Sequence, residues 1–66
     1  MRVKVNGEDM ELEPGVSVRA LIAQLGLGPT PVGVELNGRV LARSAYSTTE
    51  LREGDVLELA HFAAGG

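Results

Sequence analysis

The residues of this 66-residue chain that are best placed to do chemistry are the last two, Gly65 and Gly66. A terminal carboxylate is ionised at neutral pH and is a poor electrophile, so it needs a better leaving group before a nucleophile can attack. Gly66 has no side chain beside its carbonyl, and Gly65 reaches backbone angles closed to other residues. Ala63 and Ala64 keep the approach narrow. The tail is suited to chemistry at the terminal carboxylate, but taken alone it is also what a frayed end or a processing scar looks like, so the rest of the chain has to decide.

The other polar residues do not form a catalytic set. His61 is the single histidine, and with no cysteine or clustered carboxylate nearby it is weak evidence for metal or acid–base chemistry. The glycines are turn residues rather than a phosphate-binding loop. The hydroxyl-bearing residues of the second half have no histidine beside them in the sequence: Ser44, Ser47, Thr48 and Thr49. We therefore expect no catalytic residue, no metal ligand and no bound cofactor in this chain.

Composition limits the classes of function. A chain of this length buries only about 60% of its unfolded surface, which predicts one domain with little room for a deep pocket. The absence of cysteine excludes disulfides, thiolate zinc sites and iron–sulfur clusters. The net charge is −3 and the six basic residues are scattered, which argues against nucleic acid or an anionic membrane as partner. With no signal-peptide pattern and no apolar stretch near the ~20 residues of a membrane span, we expect a cytoplasmic protein.

Alternating apolar and polar residues predict five strands, at residues 2–6, 10–13, 32–36, 39–41 and 56–60. Asn6-Gly7 and Asn37-Gly38 predict tight hairpin turns, because both residue types tolerate positive φ. Residues 42–50 are polar and are predicted to be irregular. One helix is predicted between the two hairpins, with Ser17 as N-cap, Gly26 as terminator and an apolar stripe of Val18, Leu21, Ile22 and Leu25.

This order of elements predicts an α+β architecture, with one main helix packed on one face of a mixed sheet of four to five strands. The right-handed crossover rule returns the last strand beside the first. The opposite face of the sheet, which carries Lys4, Glu35, Glu58 and Ala60, is left open to solvent or to a partner.

Three stretches of the chain resemble a known family. They are the opening hairpin at residues 3–7, the segment 34–38 followed by Val40, Arg43-Ser44 and Tyr46, and the segment 51–58 that leads to the Gly-Gly end. The layout resembles the β-grasp (ubiquitin-like) fold, and the whole chain resembles the ThiS family of sulfur carriers in thiamine biosynthesis. The resemblance divides the chain into a β-grasp domain at residues 1–60 and a flexible tail at residues 61–66.

The resemblance implies a protein cosubstrate rather than an enzyme. An adenylating partner of the ThiF-like, ubiquitin-activating type, which uses ATP and Mg, would activate the carboxylate of Gly66. The sulfur of a persulfide donor would then displace AMP, and the resulting thiocarboxylate would donate sulfur to a ThiG-like thiazole synthase. In this family many members end in three glycines after a bulky residue, whereas residues 62–66 here read Phe-Ala-Ala-Gly-Gly.

Partner docking is predicted at the base of the tail. By alternation Phe62 continues the face of Glu58 and Ala60, and exposed aromatic side chains are favoured interface anchors. The alternative is that Phe62 folds back over the edge of the core. An acidic group near the tail would suit a basic partner surface, or is simply a solvated surface: Glu50, Glu53, Asp55 and Glu58.

Other functions stay open at this stage. Sulfur delivery to molybdopterin or to tRNA thiolation uses the same kind of tail, although Arg43 with its nearby aromatic and the short chain favour the thiazole branch. A ubiquitin-like modifier would join Gly66 to lysines of target proteins. A plain β-grasp interaction module would make no use of the tail.

Overall fold

The computed structural model describes residues 1–27 and 32–61. Within them lie one α-helix, one short 3-10 helix and five strands, in the order β1 (Arg2–Val5), β2 (Glu8–Glu11), α1 (Val18–Gln24), β3 (Val32–Leu36), β4 (Arg39–Val40), the 3-10 helix (Arg43–Ala45) and β5 (Val56–His61). The strands form one sheet in the order β2-β1-β5-β3-β4. The pairing of β1 with β5 is parallel and the other pairings are antiparallel. The predicted α+β architecture with a mixed sheet is confirmed, and the last strand returns beside the first.

Both hairpins turn through an Asn-Gly pair, as predicted. The φ angles are 50° and 84° at Asn6 and Gly7, and 52° and 83° at Asn37 and Gly38. Positive φ at both central residues defines the tight turn whose twist matches that of the flanking strands. Because such a turn has only two residues, Val5 pairs at once with Glu8. The prediction that β2 spans residues 10–13 is therefore wrong by two residues at each end.

The helix follows its sequence signals. The Oγ of Ser17 accepts a hydrogen bond from the backbone N–H of Ala20 at 3.0 Å, as an N-cap does. The predicted stripe faces the sheet, with Val18, Leu21 and Ile22 buried. Gly26, at φ 78°, follows the last turn, as predicted.

The core lies between the helix and one face of the sheet. It consists of one continuous cluster of buried residues: Val3, Val5, Leu12, Val18, Leu21, Ile22, Val32, Val34, Tyr46, Leu51 and Leu57. The opposite face, called the open face below, carries Lys4, Glu35, Glu58 and Ala60, and all four are exposed as predicted. The core is therefore built on one face of the sheet, and the side chains of the opposite face stay exposed.

The segment 42–50 is more regular than its sequence indicates. It contains the 3-10 helix, and Tyr46 directly after it is buried. The hydroxyl of Tyr46 donates to the backbone carbonyl of Val32 at 2.9 Å, and its own carbonyl accepts from the N–H of Arg19 at 3.0 Å. Tyr46 thus joins β3 to the first turn of the helix. The prediction of an irregular segment is wrong here. The segment is ordered by the long-range contacts of Tyr46, and its sequence has no periodicity that would indicate this.

Candidate functional site

The tail is attached to the central strand of the sheet. Strand β5 has β1 on one side and β3 on the other. The pairing with β3 continues to its last residue, where His61 lies opposite Val32. The strand therefore runs one residue past Ala60, where it was predicted to end. Residues 62–66 follow directly, so the pairing with β3 fixes the last described residue before them.

The side chain of Asn6 holds the second half of β5. The N–H of Leu59 donates to the Oδ1 of Asn6 at 2.8 Å, and the Nδ2 of Asn6 donates to the carbonyl of Leu59 at 3.3 Å. The backbone N–H of Asn6 also donates to the carbonyl of Leu57 at 2.9 Å. Since β1 ends at Val5, the amide side chain replaces the next peptide group of the parallel ladder. The turn residue thus extends the pairing toward the tail.

The side chain of Asn37 holds the beginning of the same strand. The N–H of Val56 donates to the Oδ1 of Asn37 at 2.9 Å, and the N–H of Asn37 donates to the carbonyl of Val56 at 2.7 Å. Its Nδ2 donates to the Oδ1 of Asp55 at 3.0 Å, while the Oδ2 of Asp55 accepts from the N–H of Arg52 at 2.8 Å. Two asparagines at corresponding turns therefore clamp the strand that carries the tail.

Replacing Asn6 by glycine tests this clamp, because glycine keeps the left-handed backbone and removes only the side chain. Loss of two side-chain hydrogen bonds is expected to lower the free energy of unfolding by about 1–2 kcal/mol, measured by urea denaturation. Hydrogen exchange at the amide of Leu59 should accelerate. The Asn6→Ala variant is expected to lose about 1 kcal/mol more, since alanine resists positive φ. An Asn6→Gly variant as stable as the wild type would show that the side chain does not hold the strand.

The open face beside the tail has an unusual composition. Glu35 and Glu58 are direct cross-strand partners, and Val40 lies opposite Glu35 on its other side. Gly33 and Ala60 form the next pair toward the end of β5. Because these two residues carry little or no side chain, the surface dips there into a shallow depression.

The predicted site residues fall into two groups. Glu58 and Ala60 lie together on the open face, near the end of β5. The other predicted site residues lie outside the described residues: Phe62, Ala63, Ala64, Gly65 and Gly66. Glu58 and Ala60 are therefore the two predicted docking residues whose positions the structure gives.

Two members of the acidic group predicted near the tail are hydrogen-bonded within the domain. The Oε1 of Glu53 accepts from the backbone N–H of Arg2 at 2.8 Å, and Asp55 is engaged by Asn37 and Arg52. These two carboxylates hold the turn before β5. Glu58 is the member of the group that lies on the open face.

The structure adds residues that the sequence analysis did not select. Asn6 and Asn37 were recognised as turn residues only, because Asn-Gly is the ordinary pair for such a turn and nothing local indicates the contacts of the amide side chain. Val40 is 83% exposed, the highest value among the large apolar residues in the described part of the chain. Its place beside Glu35 depends on the register of β3 and β4, which a two-residue turn could have indicated.

Neither a membrane-spanning helix nor a metal cluster is found in this part of the chain. In residues 1–27 and 32–61 no helix has the length and apolar character needed to cross a bilayer. Over the same residues no group of three or more His, Cys, Asp or Glu side chains is arranged to hold a metal ion.

Comparison with known proteins gives a consistent result. Residues 3–66 match the family model described as the ThiS family. The chain is 31% identical over 65 residues to the sulfur carrier protein ThiS of Bacillus subtilis (strain 168), a match that covers 97% of this chain and 98% of that protein. The crystal structure of the thiamine biosynthesis protein ThiS from Geobacter metallireducens superposes with a TM-score of 0.83 at 35% identity and covers 100% of both chains. The predicted β-grasp (ubiquitin-like) fold is confirmed.

A second kind of relative is much longer. The chain is 38% identical over 66 residues to the thiazole synthase of Magnetococcus marinus, a match that covers 100% of this chain and 20% of that protein. The chain thus spans about a fifth of the length of this relative.

Proposed function

The chain belongs to the ThiS family, and on that basis we propose that it is a sulfur carrier of thiamine biosynthesis whose Gly66 carries the sulfur as a thiocarboxylate. The observation that carries this proposal is the extent of the family match, which includes the Gly65-Gly66 pair within residues 3–66. The nearly complete coverage of the Bacillus subtilis sulfur carrier supports it. The chain acts as a cosubstrate and supplies no catalytic residue.

The proposed chemistry converts the terminal carboxylate of Gly66 into a thiocarboxylate in three steps. A carboxylate oxygen of Gly66 attacks the α-phosphorus of ATP, and pyrophosphate leaves. The outer sulfur of a persulfide donor then attacks the carbonyl carbon, and AMP leaves with the oxygen that was activated. A second thiol cleaves the sulfur–sulfur bond, which leaves the thiocarboxylate on Gly66 and a disulfide on the donor side. ATP and magnesium are bound by the ThiF-like activating partner, and this chain binds no cofactor in the proposal.

The role of this chain's own residues is to present the tail. Because Asn6 and Asn37 clamp β5 between two neighbours, the domain serves as a rigid support. A rigid support lowers the entropic cost of placing the reactive carboxylate in a partner's active site. The tail residues Ala63 to Gly66 are small, which suits passage through a narrow channel.

The proposed acceptor of the sulfur is a ThiG-like thiazole synthase. In the thiazole synthase of Magnetococcus marinus a segment similar to this whole chain makes up a fifth of the polypeptide. Two functions that act in succession are often found on one chain, which supports thiazole synthase as the partner. A cytoplasmic location stays a prediction from the sequence.

The proposal is tested by loading the protein with sulfur. The chain is incubated with ATP, magnesium, a persulfide donor and an activating enzyme of the ThiF type, and its intact mass is measured. We expect one oxygen to be replaced by one sulfur, with fragmentation placing the change at Gly66. A reaction without ATP is the control. An unchanged mass with an activating enzyme that loads another ThiS protein would refute the carrier function, and isopeptide bonds to lysines would identify a protein modifier instead.

A further inference from the structure

We propose that Asn6 is a covalent modification site, where the side-chain amide is hydrolysed to a carboxylate through a cyclic imide whenever the second half of β5 opens. The modification needs no enzyme, and water is its only co-reactant. It makes the loss of the Asn6 clamp irreversible, so this turn sets how long the strand before the tail stays fully held. The inference goes beyond the proposed function and does not depend on it.

The first observation is the residue that follows Asn6. The backbone nitrogen of Gly7 can attack the Cγ of Asn6, which closes a succinimide ring, and Nδ2 leaves as ammonia. Water then adds to either carbonyl of the imide and opens it, which yields aspartate or isoaspartate. Glycine favours the attack, because it has no side chain to crowd the nitrogen and its backbone rotates freely. Both asparagines of the chain are followed by glycine, the second pair being Asn37-Gly38.

The second observation is that the contacts of Asn6 oppose this reaction while β5 is paired. Its Nδ2 donates to the carbonyl of Leu59 at 3.3 Å, and its Oδ1 accepts from the N–H of Leu59 at 2.8 Å. The amide cannot close a ring onto the nitrogen of Gly7 while both its ends are held by Leu59. The reaction therefore proceeds from a locally opened state, and its rate follows the population of that state.

The third observation is that the two asparagines are held unequally. The Nδ2 of Asn37 donates to the carboxylate of Asp55 at 3.0 Å, and its Oδ1 accepts from the N–H of Val56 at 2.9 Å. A charged acceptor makes a stronger hydrogen bond than the neutral carbonyl that Asn6 uses. The bonds of Asn6 also lie beyond the last backbone pair of β1 with β5. Asn6 therefore opens more readily than Asn37 and is modified first.

The fourth observation is that neither product fits the contacts of the amide. An aspartate at position 6 still accepts from the N–H of Leu59, but its other oxygen faces the Leu59 carbonyl with no hydrogen between them. Isoaspartate adds a methylene group to the main chain, which lengthens a turn that pairs Val5 directly with Glu8. The strand therefore does not recover its clamp after the modification.

The test follows both asparagines in one sample. The protein is kept at neutral pH and constant temperature, either folded or unfolded in guanidinium chloride, and peptides are analysed by mass spectrometry for the replacement of the amide NH2 by OH. In the unfolded chain we expect similar rates at the two positions, since both precede glycine. In the folded protein Asn6 should convert at least about tenfold more slowly than when unfolded, the protection that two hydrogen bonds provide. Asn37 should convert severalfold more slowly than Asn6.

A second measurement connects the modification to the strand. Denaturant below the unfolding transition should accelerate conversion of Asn6 and hydrogen exchange at the Leu59 amide by the same factor, because both need the same opening. The Asn6→Asp variant represents one product, and its Leu59 amide should exchange several times faster than that of the wild type. Modified wild-type protein, separated by ion exchange, should show the same faster exchange.

Three results would overturn the inference. One is an equal rate of conversion at Asn6 in the folded and the unfolded chain, which would show that the clamp gives no protection. Another is conversion of Asn37 before Asn6. The third is an unmodified Asn6 under conditions in which the Leu59 amide exchanges freely. None of these measurements uses sulfur loading, so a failure of the proposed function leaves them unaffected.

Discussion

Removing Gly66 is expected to lower sulfur loading at least about a hundredfold, although the shortened chain still ends in a glycine carboxylate. Each residue of extended chain spans about 3.3–3.6 Å, so the new carboxylate falls short of the activating site by that distance. Reacting atoms must lie within about 3–3.5 Å of each other, and a misplacement of 1 Å already costs about a hundredfold. The measurement is the rate of thiocarboxylate formation followed by intact mass.

Two comparisons make this result specific. The free energy of unfolding should change by less than about 0.5 kcal/mol, because the deletion leaves every residue of the core cluster and of the described strands in place. The Ala63→Gly variant keeps the length and the terminal residue, and it should load like the wild type. A chain without Gly66 that loads at the wild-type rate would contradict chemistry at a fixed distance from the domain.

The largest effect on stability is expected from Leu57→Ala. Leu57 is 0% exposed and lies in the central strand, paired with Val5 on one side and Leu36 on the other. Truncating such a residue removes buried methyl groups and leaves a cavity, at a cost of about 3–5 kcal/mol. The whole domain is stabilised by only roughly 3–10 kcal/mol at its length. The variant should therefore be partly or fully unfolded at 37 °C, as measured by circular dichroism and urea denaturation.

The neighbouring residue provides the matched control. Val56 belongs to the same strand, is 43% exposed and faces the opposite side of the sheet. Val56→Ala should cost less than about 1 kcal/mol, mainly through β-propensity. Equal losses for the two variants would show that burial against the helix is not what holds β5 in place.

Local signals in the sequence account for what could be predicted. The Asn-Gly pairs, the N-cap at Ser17 and the apolar stripe of the helix each act within a few residues, so their meaning can be read without knowing the fold. Alternation placed Glu58 and Ala60 on the open face for the same reason. The right-handed crossover rule then placed the last strand beside the first, and the family resemblance gave a function to the Gly65-Gly66 end.

The contacts that could not be predicted from the sequence join residues that lie far apart in the chain. The amide of Asn6 meets Leu59 across a sequence separation of 53 residues, and Tyr46 meets Val32 across 14. No local pattern encodes such contacts. The grouping of Glu35, Val40 and Glu58 on the open face likewise needed the register of three strands, because these residues become neighbours only when β4, β3 and β5 are aligned.

The central position of β5 also determines how the domain responds to mechanical force. A force along the axis of β5 acts across the ladders to its two neighbours, in which the hydrogen bonds to β3 run perpendicular to the strands and those to β1 are slanted. The hydrogen bonds on both sides are then loaded in shear and share the force, instead of opening one after another. The amide of Asn6 adds its two bonds near the pulled end. We therefore expect the domain to stay folded when a force is applied along β5.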